Sequence, residues 1–500
     1  MEQILSGFAG ALPTVFSIEG LLVIALGVAF GVIAGAIPGI SSALMLTLAL
    51  PFTFDMPAVL GLSLLASIWT GSQYSSSIPA ILINTPASAS SVPTTIDGHR
   101  LHQMGRGGEA LGVSLITGFI GGLAATVVLT LIVIPLGQFA LVFGPAEYLG
   151  VALLGLAAVS SMADRSFIKT ILSALFGLAI ATVGLDLFTG ARRLTFGVQE
   201  LTDGIPLIPA IVGLFALSEV AIQAERLRSN SVKASGSARV VLPSLKTLRW
   251  LGRVTGLSTV VGIIVGIMPG AGGSVASFVA YSEGRRIAHE PENFGKGSLE
   301  GVAAAETANN AVVAGDLAPT LALGVPGSVP AAIMMSALLV DGIWPGPMLF
   351  SRNPEVVYGL FVALALANVF MVVWGLCVQP LALKMASIRA PILLPSIVAI
   401  VLAGAFASTG SMFGVYVAAA FGVVGYLMRK FDFSCGAAVL GLVLGPIFET
   451  SLRRALGLSH GDPAIFVTQP ISLLLILVSL VLFSMPFVRA LRRRSKAAEA

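Results

Sequence analysis

The stretch that decides the fold is a broken apolar segment that occurs twice. The first copy reads Gly31-Val-Ile-Ala-Gly35-Ala-Ile-Pro38-Gly39-Ile40-Ser41-Ser42, and the second reads Gly262-Ile-Ile-Val-Gly266-Ile-Met-Pro269-Gly270-Ala271-Gly272-Gly273. Both contain G-x-x-x-G-x-x-P-G within an apolar run, at an offset of 231 residues. Because proline lacks a backbone donor and glycine accepts conformations that other residues avoid, each copy predicts a helix interrupted at Pro-Gly.

A second pair of motifs follows the first. Pro79-Ala-Ile-Leu-Ile-Asn84-Thr85-Pro86 matches Pro319-Thr-Leu-Ala-Leu-Gly324-Val325-Pro326 at an offset of 240 residues. Pro86-Ala87-Ser88 then parallels Pro326-Gly327-Ser328. Two motifs in the same order at nearly the same offset indicate an internal duplication.

Composition places the duplicated segments in a membrane. Hydrophobic residues make up 56% of the 500 residues and charged residues only 10%, with a mean hydropathy of +0.96. Soluble domains carry about 25% charged residues. We expect an all-α polytopic membrane protein with roughly ten to twelve transmembrane helices plus broken or re-entrant hairpins. The lipid bilayer is thus a partner, and no nucleotide-binding or nucleic-acid-binding motif is present.

Loop charges predict how the two halves are oriented. We divide the chain into an N-terminal interfacial segment (1–17), a first repeat half (18–222), a basic linker (223–253), a second repeat half (254–488) and a basic tail (489–500). The positive-inside rule places the linker and the tail in the cytoplasm, and the N-terminus, which lacks Lys and Arg, in the periplasm. Opposite flanks of the two broken runs predict inverted repeats in a multi-pass protein of the bacterial inner membrane.

The interruptions point to a binding site for an anion. Unpaired backbone groups are costly in hydrocarbon, so broken helices persist beside protein or a water-filled cavity. A half-helix N-terminus suits an anionic group, and freed carbonyls suit a cation. The alternatives are that each Pro-Gly is a packing kink and that G-x-x-x-G is only a helix-packing motif.

Candidate residues follow from these breaks and their polar neighbours. The substrate-binding candidates are Pro38, Gly39, Ile40, Ser41, Ser42, Tyr74, Asn84, Thr85, Pro86, Ser88, Pro269, Gly270, Gly272, Asn309, Asn310, Gly324, Pro326, Gly327 and Ser328. Glu306 and Asp316 are cation-coupling candidates, because a carboxylate within a membrane segment faces a cavity or a partner. Asp316 in a wet loop is the alternative. Asp97 and Asp186 stand near loops and are expected to be solvated.

At these residues the chain resembles the large membrane subunit of tripartite tricarboxylate transporters, the TctA family. The resemblance runs from about Leu22 to about Phe448. It is carried by Pro38-Gly39-Ile40, Ile81–Pro86, Phe143–Tyr148, Thr195–Pro206, Met268–Gly272, Phe294–Gly297, Glu300–Ala304, Glu306–Ala311, Gly324–Ser328 and Pro345–Pro347.

The resemblance implies a translocating subunit that imports tricarboxylates or related small organic carboxylates by a cation gradient. It implies two protein partners, a small membrane subunit and a periplasmic solute-binding protein. It also implies an elevator-like secondary transporter with Na⁺ or H⁺ as the coupling ion and no other cofactor.

The chain departs from the family pattern at three places. It has Tyr74-Ser75-Ser76 where the family usually has Tyr-Gly-Gly, Pro86-Ala87-Ser88 for Pro-Gly-Glu, and Gly315-Asp316 for Gly-Gly. One acidic residue is lost and another gained, so neither Na⁺ nor citrate is assigned.

Two other functions have different requirements. A stand-alone carboxylate carrier or channel would need no binding protein. An intramembrane enzyme would need paired catalytic His or Asp residues within spans, and the sequence has none, so we expect no enzyme.

Overall fold

A computed structural model describes residues 2–37, 40–140, 142–158, 167–186, 188–226, 239–268, 272–346, 348–377 and 390–498. Within these ranges the chain is almost entirely helical, which confirms the prediction of an all-α membrane protein. Four substrate-binding candidates, Pro38, Gly39, Pro269 and Gly270, lie outside the described residues.

The first half contains eleven described helices and one short hairpin. The helices are α1 Glu2–Val15, α2 Ile18–Gly35, α3 Ser42–Ala49, α4 Ala58–Ser75, α5 Ser77–Ile83, α6 Val92–Gln103, α7 Gly107–Ala140, α8 Pro145–Ala158, α9 Phe167–Ala181, α10 Leu207–Val212 and α11 Ser218–Arg226. A π-helical turn, Gly213–Leu217, joins α10 to α11. Strands β1 (Gly184–Leu185) and β2 (Arg192–Arg193) pair antiparallel, with Gly184 opposite Arg193.

The second half continues with eleven more described helices. They are α12 Leu245–Ile267, α13 Gly272–Ile287, α14 Leu299–Leu323, α15 Val329–Val340, α16 Leu349–Arg352, α17 Pro354–Cys377, α18 Ala390–Thr409, α19 Met412–Lys430, α20 Cys435–Leu458, α21 Ile465–Thr468 and α22 Pro470–Ala498. The order of helices around the breaks is the same as in the first half. The domain boundaries and the inverted orientation stay predictions.

Seven described helices are long and apolar enough to cross a membrane. They are Ile18–Gly35, Gly107–Val133, Leu207–Glu225, Leu245–Ile267, Pro354–Cys377, Met412–Lys430 and Cys435–Leu458. Six shorter apolar helices accompany them, including Ser42–Thr53 and Val329–Val340, which follow two of the breaks. The protein therefore passes the membrane several times, and the count of ten to twelve spans stays a prediction.

The predicted interruptions are present in both halves. Helix α2 ends at Gly35 and α3 begins at Ser42, whereas α12 ends at Ile267 and α13 begins at Gly272. Both Pro-Gly motifs therefore separate two helices, as their sequence predicts.

The two breaks of the second pair, after α5 and after α14, begin with the same kind of helix end. The α5 helix ends at Asn84 with φ of 53°, and the α14 helix ends at Gly324 with φ of 70°. The N–H of the next residue then bonds the carbonyl of the proline six positions back, at 3.2 Å in the first half and 3.3 Å in the second. Both helices therefore stop at a residue in the left-handed conformation, which is a common way for a helix to end.

The G-x-x-x-G motifs lie where helices pack closely. A Cβ on Gly31 of α2 would clash with the Ile68 carbonyl oxygen of α4. A Cβ on Gly266 of α12 would lie 2.8 Å from the Gly315 α-carbon of α14. Glycine in both pairs lets the backbones touch, so the helix-packing interpretation of G-x-x-x-G is correct.

Helices α4 and α14 form the centre of the protein. Every residue from Leu65 to Ser75 of α4 and from Glu300 to Ala322 of α14 is buried. Helix α2 packs on α4 and α12 packs on α14. Helices α4 and α14 also contact the opposite half, since α7 of the first half packs on α14 and α17 of the second packs on α4.

An ion cluster ties the β-hairpin to α20. Asp186 accepts hydrogen bonds from the N–H groups of Phe188 and Thr189 at 2.8 and 3.0 Å, and Arg453 lies 2.9 Å from its carboxylate. Glu449 contacts both Arg193 and Arg453. The expectation that Asp186 is solvated is wrong, because two arginines and its own turn enclose the carboxylate.

Candidate substrate and coupling site

Two amides from the two halves meet at the centre of the protein. The Gln73 Nε2 of α4 donates to the Asn309 carbonyl oxygen of α14 at 3.2 Å, and the Asn309 Nδ2 donates to the Gln73 carbonyl oxygen at 3.1 Å. Each side chain thus bonds the backbone of the other. Such a reciprocal contact, between positions 236 residues apart, is the pattern that a twofold relation between similar units produces.

The first break reaches this pair through a serine. Ser42, the first residue of α3, donates its hydroxyl to the Gln73 Oε1 at 3.1 Å and accepts from Ser72 at 2.8 Å. Ser42 was a predicted substrate-binding residue, and its neighbour Ile40 is also buried. The polar path therefore runs from the α3 N-terminus to the centre.

The break between α12 and α13 reaches the same pair through its backbone. A Cβ on Gly273, next to the predicted Gly272, would lie 3.2 Å from the Asn309 Oδ1 and 3.4 Å from the Gln73 Nε2. It would also lie 3.2 Å from the Ser90 β-carbon, which belongs to the segment after Asn84. Two of the four breaks thus meet at Gln73 and Asn309, and the segment after Asn84 packs beside them on α13 and α14.

The hydroxyls at the breaks divide into capping and accessible groups. Ser41 and Ser328 cap helices, accepting from the N–H of Leu44 at 3.2 Å and of Ala331 at 3.4 Å. A capping hydroxyl satisfies free N–H groups that an anion would otherwise bind. Other candidates remain exposed or half-buried, namely Asn84, Thr85, Pro86, Ser88 and Gly272.

The fourth break is enclosed. Gly324, Pro326, Gly327 and Ser328 are all buried between α14 and α15. Gly327 contacts Asp316, since its Cβ would lie 3.0 Å from the Asp316 Oδ1. This segment therefore lies beside an acid and differs from the break that follows Asn84.

Glu306 is a buried acid bonded to the first half. Its Oε1 accepts a hydrogen bond from the Thr94 hydroxyl of α6, and its Oε2 has no partner among the described residues. Asp316 is also fully buried, and within the described ranges neither of its oxygens is hydrogen-bonded. The wet-loop alternative for Asp316 is therefore wrong. Helical geometry puts the two acids about 15 Å apart along α14.

Two predicted residues point away from the centre. The Tyr74 ring packs beside Gly375 of α17, and its hydroxyl has no partner among the described residues. Asn310 lies against Gly118 of α7 and donates to the Glu306 carbonyl oxygen at 2.9 Å. Neighbouring helix positions diverge by about 100°, so Gln73 and Asn309 face each other while Tyr74 and Asn310 cannot.

Sequence reasoning missed Gln73 as a site residue. Two signals were available. Gln73 is the only side-chain amide in α4, and its offset of 236 from Asn309 lies between the offsets of the two motif pairs. Thr94 was also missed, because its partner Glu306 lies in the other half.

Asp97 is a buried link between the halves. Its Oδ1 accepts from the N–H groups of Gly295 and Gly297 at 2.8 Å and of Ser298 at 3.0 Å. Its Oδ2 accepts from the Tyr281 hydroxyl at 2.8 Å. The expectation that Asp97 is solvated is wrong, because the loop before α14 wraps its carboxylate with backbone donors.

An apolar groove lies elsewhere. It is open, has a volume of about 300 Å³ and runs between α1, α7 and α17, with Phe8, Leu123, Val127 and Phe361 among its walls. This lining does not suit a carboxylate, which requires donors. The polar centre is the better candidate.

Comparison with known proteins identifies the family. The model of the tripartite tricarboxylate transporter TctA family matches residues 21–440. The chain belongs to the TctA family. A relative from Agrobacterium vitis, an uncharacterized 52.8 kDa protein of the TAR-I ttuC' 3' region, is 35% identical over 98% of both chains.

A second relative of the TctA chain matches over part of its length. It is an uncharacterized protein of the TAR-II ttuC' 3' region of Agrobacterium vitis, 35% identical over 46% of this chain and 97% of its own. No solved structure matches this chain. The predicted family is confirmed, and the protein is a subunit of a multi-pass membrane transporter of this family.

Proposed function

We propose that this chain is the translocating subunit of a cation-gradient-driven importer of tricarboxylates or related small organic carboxylates. A periplasmic solute-binding protein would deliver the substrate, and a small membrane subunit would complete the transporter. The observation that carries the proposal is that two helix breaks meet at the Gln73–Asn309 pair, with the segment after Asn84 beside them, in a member of the TctA family.

The chemistry of the centre suits a carboxylate. The amide N–H groups of Gln73 and Asn309 and the Ser42 hydroxyl donate to one another in this conformation, and an anion would bind by exchanging these bonds; none of the donors carries a fixed charge. Neutral donors around broken helices bind an anion without holding it too tightly for release. Glu306 and Asp316 lie in α14, beyond the donors, where a cation would offset the charge of the anion.

We propose that the two halves are inverted repeats and that the repeat core moves in an elevator-like way. The shared helix endings at Asn84 and Gly324 and the packing of α7 on α14 and of α17 on α4 support related halves. The basic segments 226–253 and 489–496 support a cytoplasmic C-terminus and a periplasmic N-terminus in the bacterial inner membrane. Reporter fusions at both ends test this orientation, and a cytoplasmic N-terminus would refute it.

Reconstitution tests the function. The chain, its small partner subunit and its binding protein are placed in proteoliposomes, and uptake of radiolabelled citrate and a panel of di- and tricarboxylates is measured under Na⁺ and pH gradients. We expect accumulation of at least one carboxylate that depends on the binding protein. Equal uptake without the binding protein would favour a stand-alone carrier, and no uptake of any carboxylate by folded protein would refute the proposal.

A matched pair of variants tests the site. Gln73→Ala removes the bonds to Asn309 and Ser42, so we expect uptake to fall by about tenfold or more, in line with the loss of buried hydrogen bonds worth about 1.4 kcal/mol. Gln199→Ala changes the same residue type at an exposed position far from the centre and should leave uptake unchanged. Equal uptake by both variants would place the site elsewhere.

A further inference from the structure

Asp316 is an acid without a counter-group in the interior of the protein. Its side chain is 0% exposed, and the Ser328 hydroxyl is a polar neighbour that makes no well-aligned hydrogen bond to either carboxylate oxygen among the described residues. Glu306 in the same helix differs, because Thr94 donates to one of its oxygens. An ionised carboxylate buried without a partner is strongly unfavourable, so Asp316 must be neutral or bound to a cation in this conformation.

The carboxyl lies where two breaks meet. A Cβ on Gly327, in the break before α15, would lie 3.0 Å from the Asp316 Oδ1 and 3.0 Å from the Gly266 carbonyl oxygen. Gly266 is near the end of α12, where the break between α12 and α13 begins. The carboxyl and a backbone carbonyl therefore border the same small space beside Gly327, at the junction of segments from two different breaks.

The helices facing Asp316 carry no charge near it. Over the described residues, α12 from Val254 to Ile267, α7 from position 110 to 140 and α15 from position 329 to 340 contain no ionisable side chain. The other helices packed on α14 bring their ionisable groups near the stretch from Gly301 to Glu306, away from Asp316. These groups are Tyr74, Asp97, His99, Arg100, His102, Tyr281, Glu283, Arg285 and Arg286. No fixed cation among these neighbours offsets the Asp316 charge.

The packing also limits what binds there. The Gly266 and Gly315 backbones touch next to Asp316, since a Cβ on Gly266 would lie 2.8 Å from the Gly315 α-carbon. A metal cation needs several oxygen ligands around it, whereas a proton needs one oxygen and an acceptor. The Asp316 carboxyl can hold the proton and the Gly266 carbonyl is a nearby acceptor. The close packing of the two backbones leaves little room for further ligands.

We propose that Asp316 is the proton-binding residue that couples carboxylate transport to a proton gradient. A proton from water on one side binds a carboxylate oxygen and gives a neutral acid that is stable in this closed conformation. When the breaks separate and water reaches the residue, the proton leaves to the other side and the carboxylate ionises. The proposal rests on the proposed transport function and specifies its coupling ion as H⁺.

Infrared difference spectroscopy tests the site without a substrate. The full-length protein is labelled with ¹³C-aspartate, and the carbonyl band of protonated aspartate is recorded at neutral pH for wild type, Asp316→Asn and the exposed control Asp55→Asn. We expect the band in wild type and Asp55→Asn and its loss in Asp316→Asn. A spectrum in which Asp316→Asn removes no protonated band, or in which Na⁺ removes the wild-type band at constant pH, would overturn the proposal.

Transport separates this proposal from the general function. In proteoliposomes with both partner proteins and labelled citrate or another transported carboxylate, a gradient of about one pH unit supports about tenfold accumulation per coupled proton. We expect Asp316→Asn to lose this accumulation and to keep substrate exchange across the membrane. Full proton-driven accumulation in Asp316→Asn would overturn the proton role, whereas a wild type that moves no carboxylate would refute the transport function and leave the infrared result to decide the proton site.

Discussion

Removing the Asp97 carboxylate should release the loop before α14 from α6. Asp97→Ala leaves three backbone N–H groups at positions 295, 297 and 298 and the Tyr281 hydroxyl without their acceptor. Each buried donor left unpaired costs about 1–3 kcal/mol, so the loss of all four bonds should cost at least about 4 kcal/mol. Asp97→Asn keeps an acceptor oxygen but loses the charge, and we expect a loss of about 2–3 kcal/mol.

Tyr281→Phe provides the graded control. It removes one of the four hydrogen bonds to Asp97, so the expected loss is about 1–2 kcal/mol. Because Tyr281 and Asp97 are direct partners, the double variant should cost less than the sum of the two single variants. The order Tyr281→Phe, Asp97→Asn, Asp97→Ala follows from the number and strength of the bonds lost.

Hydrogen exchange measures the effect at the loop itself. In detergent-solubilised full-length protein, the hydrogen bonds to Asp97 should protect the amides of Gly295, Gly297 and Ser298. A local loss of about 2 kcal/mol in Asp97→Asn should speed their exchange by about 30-fold. Thermal unfolding of the same samples measures the global effect. Exchange in Asp97→Ala within about threefold of wild type would refute the view that this carboxylate holds the two halves together.

Three further predictions concern single sites. Asn84→Ala should lower uptake by about tenfold while the yield of folded protein stays normal. Asn84 is exposed at a break, and a hydrogen bond from it to the anion is worth about 1–2 kcal/mol. Uptake per amount of folded protein measures this effect. Gly266→Ala should lower stability by about 1–3 kcal/mol, since its Cβ would meet the α14 backbone, whereas Gly256→Ala in the same helix meets open space and should not, which thermal unfolding compares. A hydrogen bond from a backbone N–H of its own turn, and then Arg453, hold the pKa of Asp186 at about 2. The Asp186 carboxylate therefore stabilises the protein fully above about pH 4, and this stabilisation is lost as the pH falls toward 2. The difference in Tm between wild type and Asp186→Asn should shrink over that range.

The breaks could be predicted from sequence because their cause is local. Proline and glycine act on their own turn, so Pro38-Gly39 and Pro269-Gly270 predicted the ends of α2 and α12 without any knowledge of neighbours. The ending at Gly324 follows from the same rule, since glycine adopts the left-handed conformation readily. Repetition of these local signals also predicted that the halves are related in sequence.

The partners within the site could not be predicted in the same way. Gln73 meets Asn309 across 236 residues, and Tyr74, one position later, points at α17 instead. A shift of one helix position turns a side chain by about 100°, so motif spacing alone does not decide which amide faces the centre. Asp97 was misjudged for a related reason, because its donors come from a glycine-rich loop of the other half.

The two halves share a frame but differ in their charges. Gln73 and Asn309 bond each other reciprocally, which makes the centre nearly symmetric, yet both buried acids of the centre lie on α14. The corresponding stretch of α4 and α5, Thr70 to Ser77, offers hydroxyls and no carboxylate. On the proposed transport function, an ion gradient would drive accumulation, and the two buried acids of α14 are the groups of this centre that would bind the coupling ion.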